Sequence, residues 1–160
     1  MAHRKLAQQI KDRTVKREYL ALVHGAITEP GGTIEAPIGR DERDRQKMAV
    51  SLKNSKDAVT EYRVLERFFG YTLVMCRLKT GRTHQIRVHM AYVKHPVVGD
   101  PKYGPGKTHL GLEGQALHAG TLGFRHPRTG EWLEFSVPPP AEFTKAVEDI
   151  RSRYKLEKRG

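Results

Sequence analysis

The segment TGRTHQIRVHM, at residues 80–90, concentrates side chains that can bind anions and exchange protons. Guanidinium groups pair with carboxylates and phosphates, and imidazole groups titrate near neutral pH. If the segment is helical, His84 and Arg87 lie three residues apart and share one face of the helix. An arginine on a half-buried helix face needs an anionic partner, so Arg87 predicts a nearby carboxylate or phosphate. The alternative interpretation is an ordinary amphipathic helix with a solvated basic face.

Other kinds of chemistry find little support in the sequence. His84 and His89 are five residues apart and do not share a helical face, so we expect no metal site. The single cysteine, Cys76, excludes an intramolecular disulfide and a multi-cysteine zinc site, and its apolar surroundings predict an inert buried thiol. No serine stands in a nucleophile-elbow pattern, and no glycine-rich loop opens a helix. We therefore expect no cofactor.

The charge balance indicates a polyanionic partner. The 160 residues carry 29 Lys and Arg against 18 Asp and Glu, which gives a formal net charge of +11 and a pI near 10.0. Nucleic acid is the first candidate partner, and a merely soluble basic protein is the alternative. No apolar run approaches the roughly 20 residues of a membrane span, and the N-terminus lacks a signal-peptide pattern. We expect a cytoplasmic protein without membrane contact.

The elements that must position these side chains follow from hydrophobic periodicity and turn residues. The predicted helices are 2–11, a segment capped by Thr83 that runs through 84–94, and a segment from Ala141 that buries Phe143, Val147 and Ile150. The predicted strands are 16–25, 33–38, one that ends the charged segment 39–50, 58–68, 71–79, and a hairpin of 117–124 and 131–137. The expected fold class is α+β, with a mostly antiparallel mixed sheet and flanking helices.

Several motifs of the chain, taken together, resemble a known family. LKTGRTHQIRVHM is followed by HPVVGDPKYG, LHAGTLGFRHPRTGE and VPPP, and it is preceded by VKREYLALVHG and IGRDERDRQKMAV. In this order they resemble the C-terminal half of the catalytic domain of the RluA-like ribosomal large-subunit pseudouridine synthases. The resemblance runs from the first helix to about Arg151. It implies the pseudouridine synthase fold and a cofactor-free isomerase that converts uridine to pseudouridine in structured RNA.

The resemblance also implies roles for individual residues. In that family an aspartate attacks a nucleoside whose base is flipped out of the RNA. Tyr19 matches the tyrosine that stacks on the uracil and can transfer a proton, and Arg87 matches the arginine that pairs with the aspartate. Leu117 matches an apolar residue packed against the pocket. The residues expected to contact RNA are Arg40, Lys47, Arg82 and His84, although residues 40–47 could equally form a solvated loop. Ribosomal RNA is the first expected partner and transfer RNA the second.

The family's aspartate, in a motif of the form HRLDxxTSG, has no counterpart in these 160 residues. None of the six aspartates follows HRL: Asp12, Asp41, Asp44, Asp57, Asp100 and Asp149. Asp100, in GDPKYG, is expected to close a turn rather than to act as a nucleophile. Residues 1–155 are therefore interpreted as a partial catalytic domain, which is a truncated product, the result of a late start codon or half of a split enzyme, followed by a basic tail at 156–160.

Two consequences are expected of such a fragment. Arg87 loses its anion. The exposed edges and apolar face of an incomplete sheet favour self-association or pairing with the absent N-terminal segment. A non-catalytic basic RNA-binding fragment is the alternative function.

Overall fold

The computed structural model describes residues 2–156, so residues 157–160 of the expected basic tail lie outside the description. Within residues 2–156, three helices and nine strands follow one another. The helices are α1 (Ala2–Lys11), α2 (Gln85–Tyr92) and α3 (Ala141–Arg153). The strands are β1 (Lys16–His24), β2 (Gly31–Glu35), β3 (Ile38–Arg40), β4 (Met48–Val50), β5 (Ser55–Lys56), β6 (Val59–Phe68), β7 (Tyr71–Leu78), β8 (Leu117–Arg125) and β9 (Trp132–Ser136).

The strands form two antiparallel sheets. The larger sheet has the order β2-β6-β7-β1-β8-β9, and the smaller one has the order β4-β3-β5. All pairings described between neighbouring strands are antiparallel. The expected α+β class with a mostly antiparallel sheet is therefore confirmed. No helix within residues 2–156 has the length and apolar character needed to cross a membrane.

The core lies on both faces of the large sheet. Three consecutive residues at the end of β1, Ala21, Leu22 and Val23, are all fully buried, as expected of a central strand covered on each side. On one face α3 buries Phe143, and the ring of Tyr154, just past this helix, meets the ring of Tyr71 at 5.1 Å. The predicted α3 and the predicted β8–β9 hairpin are confirmed.

Helix α2 lies between the two sheets. His89 contacts Thr60 of the large sheet, whereas Val88 packs with Ile38 of the small sheet. All six residues from Gln85 to Met90 are buried. The alternative of a helix with a solvated basic face is therefore wrong, and Arg87 is held inside the molecule, where a charge needs a partner.

Two local predictions need correction. Thr83 does not cap α2: the N-cap residue is His84, which has a left-handed backbone (φ 55°) and no capping hydrogen bond from its side chain. The short strands β3 and β5 were not predicted, because they span only 3 and 2 residues. Cys76 is fully buried, as predicted, and burial raises the pKa of its thiol to about 12.

Candidate active site

Five of the seven predicted site residues line one open cavity of about 250 Å³. They are Tyr19, Arg82, His84, Arg87 and Leu117, and the rest of the lining consists of Leu78, Gln85, Ile86 and Gln115. Tyr19 comes from β1 and Leu117 from the adjacent β8, which pair in antiparallel register. The other three come from the turn before α2 and from its first turns. The topology thus brings together residues that are up to 98 positions apart in the sequence, from Tyr19 to Leu117.

Gln85 fixes the turn that carries the basic residues. Its Oε1 accepts hydrogen bonds from the Thr80 hydroxyl (2.7 Å) and the Arg82 amide (2.9 Å). Its Nε2 donates to the Val59 carbonyl and to the Thr60 hydroxyl, both at 2.9 Å. All four hydrogen-bonding positions of this buried amide are therefore used. This role of Gln85 was not predicted from the sequence, in which the only signal for it is a glutamine inside a basic motif.

Arg87 has an anionic partner inside this chain, so the expectation that it loses its anion is wrong. Its Nε donates to Oδ2 of Asp100 and its Nη2 donates to Oδ1, each at 2.8 Å. This fork-to-fork geometry is the strong form of an arginine–carboxylate pair. Asp100 is fully buried and Arg87 is 9% exposed. Water therefore screens the pair little.

Asp100 is fully engaged by its neighbours. Oδ1 also accepts hydrogen bonds from the amides of Lys102 (3.0 Å) and Tyr103 (3.1 Å), so the predicted turn-closing role is confirmed. Burial alone would raise the pKa of this carboxyl, but the hydrogen bonds from Arg87 and the two amides outweigh it, and the pKa is lowered. A buried carboxylate with both oxygens occupied cannot reach a substrate base.

One nitrogen of Arg87 is left for another acceptor. Nη1 forms no hydrogen bond with any residue in 2–156. Nη1 also keeps contact with solvent. In residues 2–156 only one side-chain nitrogen or oxygen is both inaccessible to solvent and without a hydrogen-bond partner, and it belongs to Arg17. Because Arg87 lines the cavity, Nη1 is the part of the guanidinium that a second anion could contact there.

Tyr103 contacts two of the residues that line the cavity, Arg87 and His84. Its ring lies 5.1 Å from Cζ of Arg87, within cation–π range. Its hydroxyl accepts a hydrogen bond from the Met48 amide (3.0 Å) and lies 2.8 Å from Nδ1 of His84. The hydroxyl proton is therefore available to Nδ1 in the tautomer of His84 that carries its own proton on Nε2. Burial first, and then the charges of Arg87 and Lys102, lower the pKa of His84, so its ring is neutral at pH 7.

The two remaining predicted residues lie apart from this cavity. Arg40 lines a neighbouring open cleft of about 380 Å³ together with Lys56, Gly81 and Arg82, so Arg82 borders both spaces. Arg40 also donates to the Arg45 carbonyl at 2.7 Å. Lys47 is placed in the charged loop, where its carbonyl accepts from the Asp41 amide, and its side chain borders neither space.

No aspartate or glutamate of the described chain lines the cavity. Asp57 bridges Arg13 and Arg82 at the surface, and Asp41 accepts the amides of the charged loop. Between residues 2 and 156, no three His, Cys, Asp or Glu side chains are grouped as metal ligands. The site thus combines a tyrosine, two arginines and a neutral histidine without a carboxylate that could act on a substrate.

His89, buried behind the site, predicts how stability changes with pH. Its Nε2 lies 2.9 Å from the Ala36 carbonyl and its Nδ1 lies 2.8 Å from the Thr60 hydroxyl, an arrangement that suits the neutral ring. Burial lowers the pKa of His89 below the ordinary value of 6.5. The unfolded chain therefore binds more protons than the folded chain below pH 6.5, and stability is lost as pH falls through this range.

We expect the free energy of unfolding, measured by urea denaturation, to be lower at about pH 5.5 than at about pH 7.5. His24 and His84 act in the same direction, because burial lowers both of their pKa values as well. Nitrogen NMR of the folded protein isolates the contribution of His89. A His89 ring that becomes protonated at or above pH 6.5 would contradict the prediction.

Comparisons with known proteins agree on one family. The sequence profile described as RNA pseudouridylate synthase matches residues 1–92. An uncharacterized RNA pseudouridine synthase of Bacillus subtilis, YlyB, is 57% identical over 151 residues, which are 94% of this chain and 49% of that protein. A ribosomal large subunit pseudouridine synthase D of Xanthomonas campestris is 49% identical over 158 residues, covering 91% of this chain and 47% of that protein.

A solved structure gives the same result. Human RNA Pseudouridylate Synthase Domain Containing 1 superimposes with a TM-score of 0.75 at 30% sequence identity, over 97% of this chain and 66% of that chain. The chain spans about half the length of the curated relatives it matches.

Proposed function

Because the chain belongs to the RNA pseudouridylate synthase family, we propose that residues 1–155 supply part of the catalytic domain of an enzyme that converts uridine to pseudouridine in structured RNA. Ribosomal RNA is the first substrate to test, since one close relative is named for it, and transfer RNA is the second. The proposed substrate places its action in the cytoplasm. The observation that carries the proposal is the convergence of Tyr19, Arg87 and Leu117 in a cavity that no carboxylate of residues 2–156 lines.

The reaction breaks the bond between ribose and N1 of uracil and forms a new bond to carbon 5, whose proton is released. In the proposed site the Tyr19 ring stacks on the flipped uracil, and its hydroxyl takes part in proton transfer. Leu117 packs against the base from β8. Both residues border the same cavity, so a single base could contact them together.

The nucleophilic aspartate is proposed to come from a protein segment outside these 160 residues. Its natural partner is Nη1 of Arg87, the nitrogen that Asp100 leaves free. A guanidinium beside this carboxylate would favour its charged form and keep it reactive at neutral pH. Asp100 would then orient Arg87, so that one arginine serves both carboxylates.

Basic residues around the cavity are proposed to hold the RNA backbone. Arg82 borders both open spaces and Arg40 lines the outer one, so a strand that enters the cavity could pass both side chains. Lys47 and the neutral His84 are further proposed contacts. Such contacts release counterions, and binding should weaken as salt concentration rises.

Binding of a fluorescent RNA hairpin with unpaired uridines tests this part of the proposal. We expect affinity to fall steeply between about 50 and about 200 mM salt, and to be higher for this hairpin than for a fully paired duplex of the same length, because unpaired bases are easier to flip. Equal binding to the hairpin, the duplex and heparin would instead favour a merely basic protein. The rival function, a non-catalytic RNA-binding fragment, gives the same binding and differs only in turnover.

The sheet edges predict association of the isolated chain. Strand β9 is an edge of the large sheet, and four apolar residues on or beside its hairpin are 40–60% exposed: Leu122, Trp132, Phe135 and Val137. Edges of this kind pair with other chains. We expect concentration-dependent association in sedimentation velocity. Phe135→Lys should reduce this association. Phe69→Lys is the control and should not reduce it, because it removes an exposed phenylalanine from the β6–β7 turn rather than from the edge strand. A monomer at every concentration would contradict the expectation.

A further inference from the structure

Arg17 is a half-buried arginine without a partner. Its side chain forms no hydrogen bond and no ion pair with any residue described, and its Nε is the only solvent-inaccessible side-chain nitrogen or oxygen in 2–156 without a hydrogen-bond partner. Arg17 lies two residues before Tyr19 on β1, so both side chains project from the same face of the strand. Burial lowers the pKa of its guanidinium, which reflects the cost of holding an uncompensated charge there.

The end of the Arg17 side chain lies against Gly81. A Cβ on Gly81 would lie too close to Nη1 of Arg17, so a larger residue at position 81 would shift the end of this flexible side chain away from the turn. Gly81 is itself exposed and belongs to the turn that Gln85 holds in place. The amides of Gly81 and Thr83 donate to no described residue. The guanidinium of Arg17 thus lies at an exposed turn that also carries two amides without a described acceptor, a combination suited to an oxyanion.

The surroundings favour a phosphodiester over a single carboxylate. The turn separates the cavity of Tyr19 and Arg87 from the outer cleft of Arg40 and Lys56, and Arg82 borders both. Neither space is lined by a described aspartate or glutamate. Cations line both spaces, and Gly81, against which the Arg17 side chain lies, lines the outer one, so the site suits a ligand whose negative charges repeat along a chain.

We propose that Arg17 and the turn Thr80–Thr83 bind a backbone phosphate next to the uridine that enters the cavity. The inference rests on the proposed function, since it takes the ligand to be RNA. It assigns to Gly81 the role of letting the guanidinium approach the turn, and to Arg17 a contact that sets the register of the strand while Tyr19 contacts the base.

Binding of the uridine hairpin to the full chain tests the proposal with three variants. Arg17→Gln removes the charge and should weaken binding about 10-fold at low salt. This is the loss of affinity expected when one charge-assisted hydrogen bond is removed. It should also make the salt slope shallower by about 0.7–0.9, as for one lost phosphate contact. Gly81→Ala keeps every charge but displaces the guanidinium, and it should weaken binding in the same direction. Arg63→Gln is the matched control, because Arg63 is exposed and lies on the opposite face of the sheet.

The outcomes separate this inference from the proposed function. If the parent chain binds the hairpin and Arg17→Gln keeps both its affinity and its salt slope, the phosphate site is refuted while the RNA-binding proposal stands. The same conclusion follows if Arg63→Gln weakens binding as much as Arg17→Gln. If the parent chain binds no RNA, both proposals fail. The NMR signal of the Arg17 Nε–H group provides a check that does not depend on a variant's folding: it should shift when RNA is added and stay unchanged if Arg17 is only structural.

Discussion

Asp100→Ala is expected to lower the free energy of unfolding by about 3–5 kcal/mol, the usual cost of removing one partner of a buried ion pair. The substitution leaves the Arg87 guanidinium without an anionic partner, because Arg87 donates two hydrogen bonds of 2.8 Å to this carboxylate. It also leaves the amides of Lys102 and Tyr103 without their acceptor. Urea denaturation at neutral pH measures the change directly.

A double-mutant cycle separates the ion pair from the turn. Asp100→Asn keeps an oxygen that can accept the two amides but removes the charge, so it should cost less than Asp100→Ala. Combining Asp100→Asn with Arg87→Met should cost less than the sum of the two single substitutions, because no buried charge is then left unpaired. Additive effects would show that the two side chains do not stabilise each other. Loss of Asp149, whose partner is the exposed Arg153, is the matched surface control and should change stability little.

Tyr19→Phe should lower turnover about 100-fold or more, in an assay in which the chain is combined with a relative's segment that carries the HRLD motif. The phenyl ring can still stack on uracil, but the hydroxyl proposed for proton transfer is gone, and such groups contribute on this scale. The Tyr19 hydroxyl forms no hydrogen bond within residues 2–156, so stability should be unchanged. The loss should appear in kcat rather than in KM.

Tyr92→Phe is the control for this substitution. Tyr92 is 57% exposed at the end of α2 and lines no part of the cavity, so removing its hydroxyl should leave turnover unchanged. Full activity of Tyr19→Phe would remove the hydroxyl from the mechanism and leave Tyr19 as a stacking surface only. Arg87→Ala should abolish turnover as well. The free energy of unfolding of this variant must be measured alongside its turnover, because the substitution leaves Asp100 buried without a partner.

The parts of the fold that follow from local patterns could be predicted from the sequence. The alternation of β7, in which Thr72, Val74, Cys76 and Leu78 are buried, is visible in the residues themselves. The hairpin of β8 and β9 and the buried face of α3 follow from equally local signals. The presence of an anion beside Arg87 was also predictable, because a buried guanidinium needs an anionic partner in any protein.

The identity of that anion was not predictable from local patterns. Asp100 lies 13 residues beyond Arg87, and the two meet only because the chain after α2 folds back toward the helix. The two hydrogen bonds that Gln85 donates to Val59 and Thr60 of β6 likewise depend on contacts between distant parts of the chain. Arg17 looks like any other strand arginine in the sequence, and only the packing around it reveals that it has no partner.

The release of tritium from RNA that carries tritium at carbon 5 of uracil tests the central claim most directly. The claim is that this chain supplies Tyr19 and Arg87 to a pseudouridine synthase site whose nucleophile comes from elsewhere. We predict no release by the chain alone and release once a segment with the HRLD motif is added. Release by the chain alone would contradict the account, because one of its own carboxylates would then have to act as the nucleophile. No release with the added segment would leave RNA binding as the function.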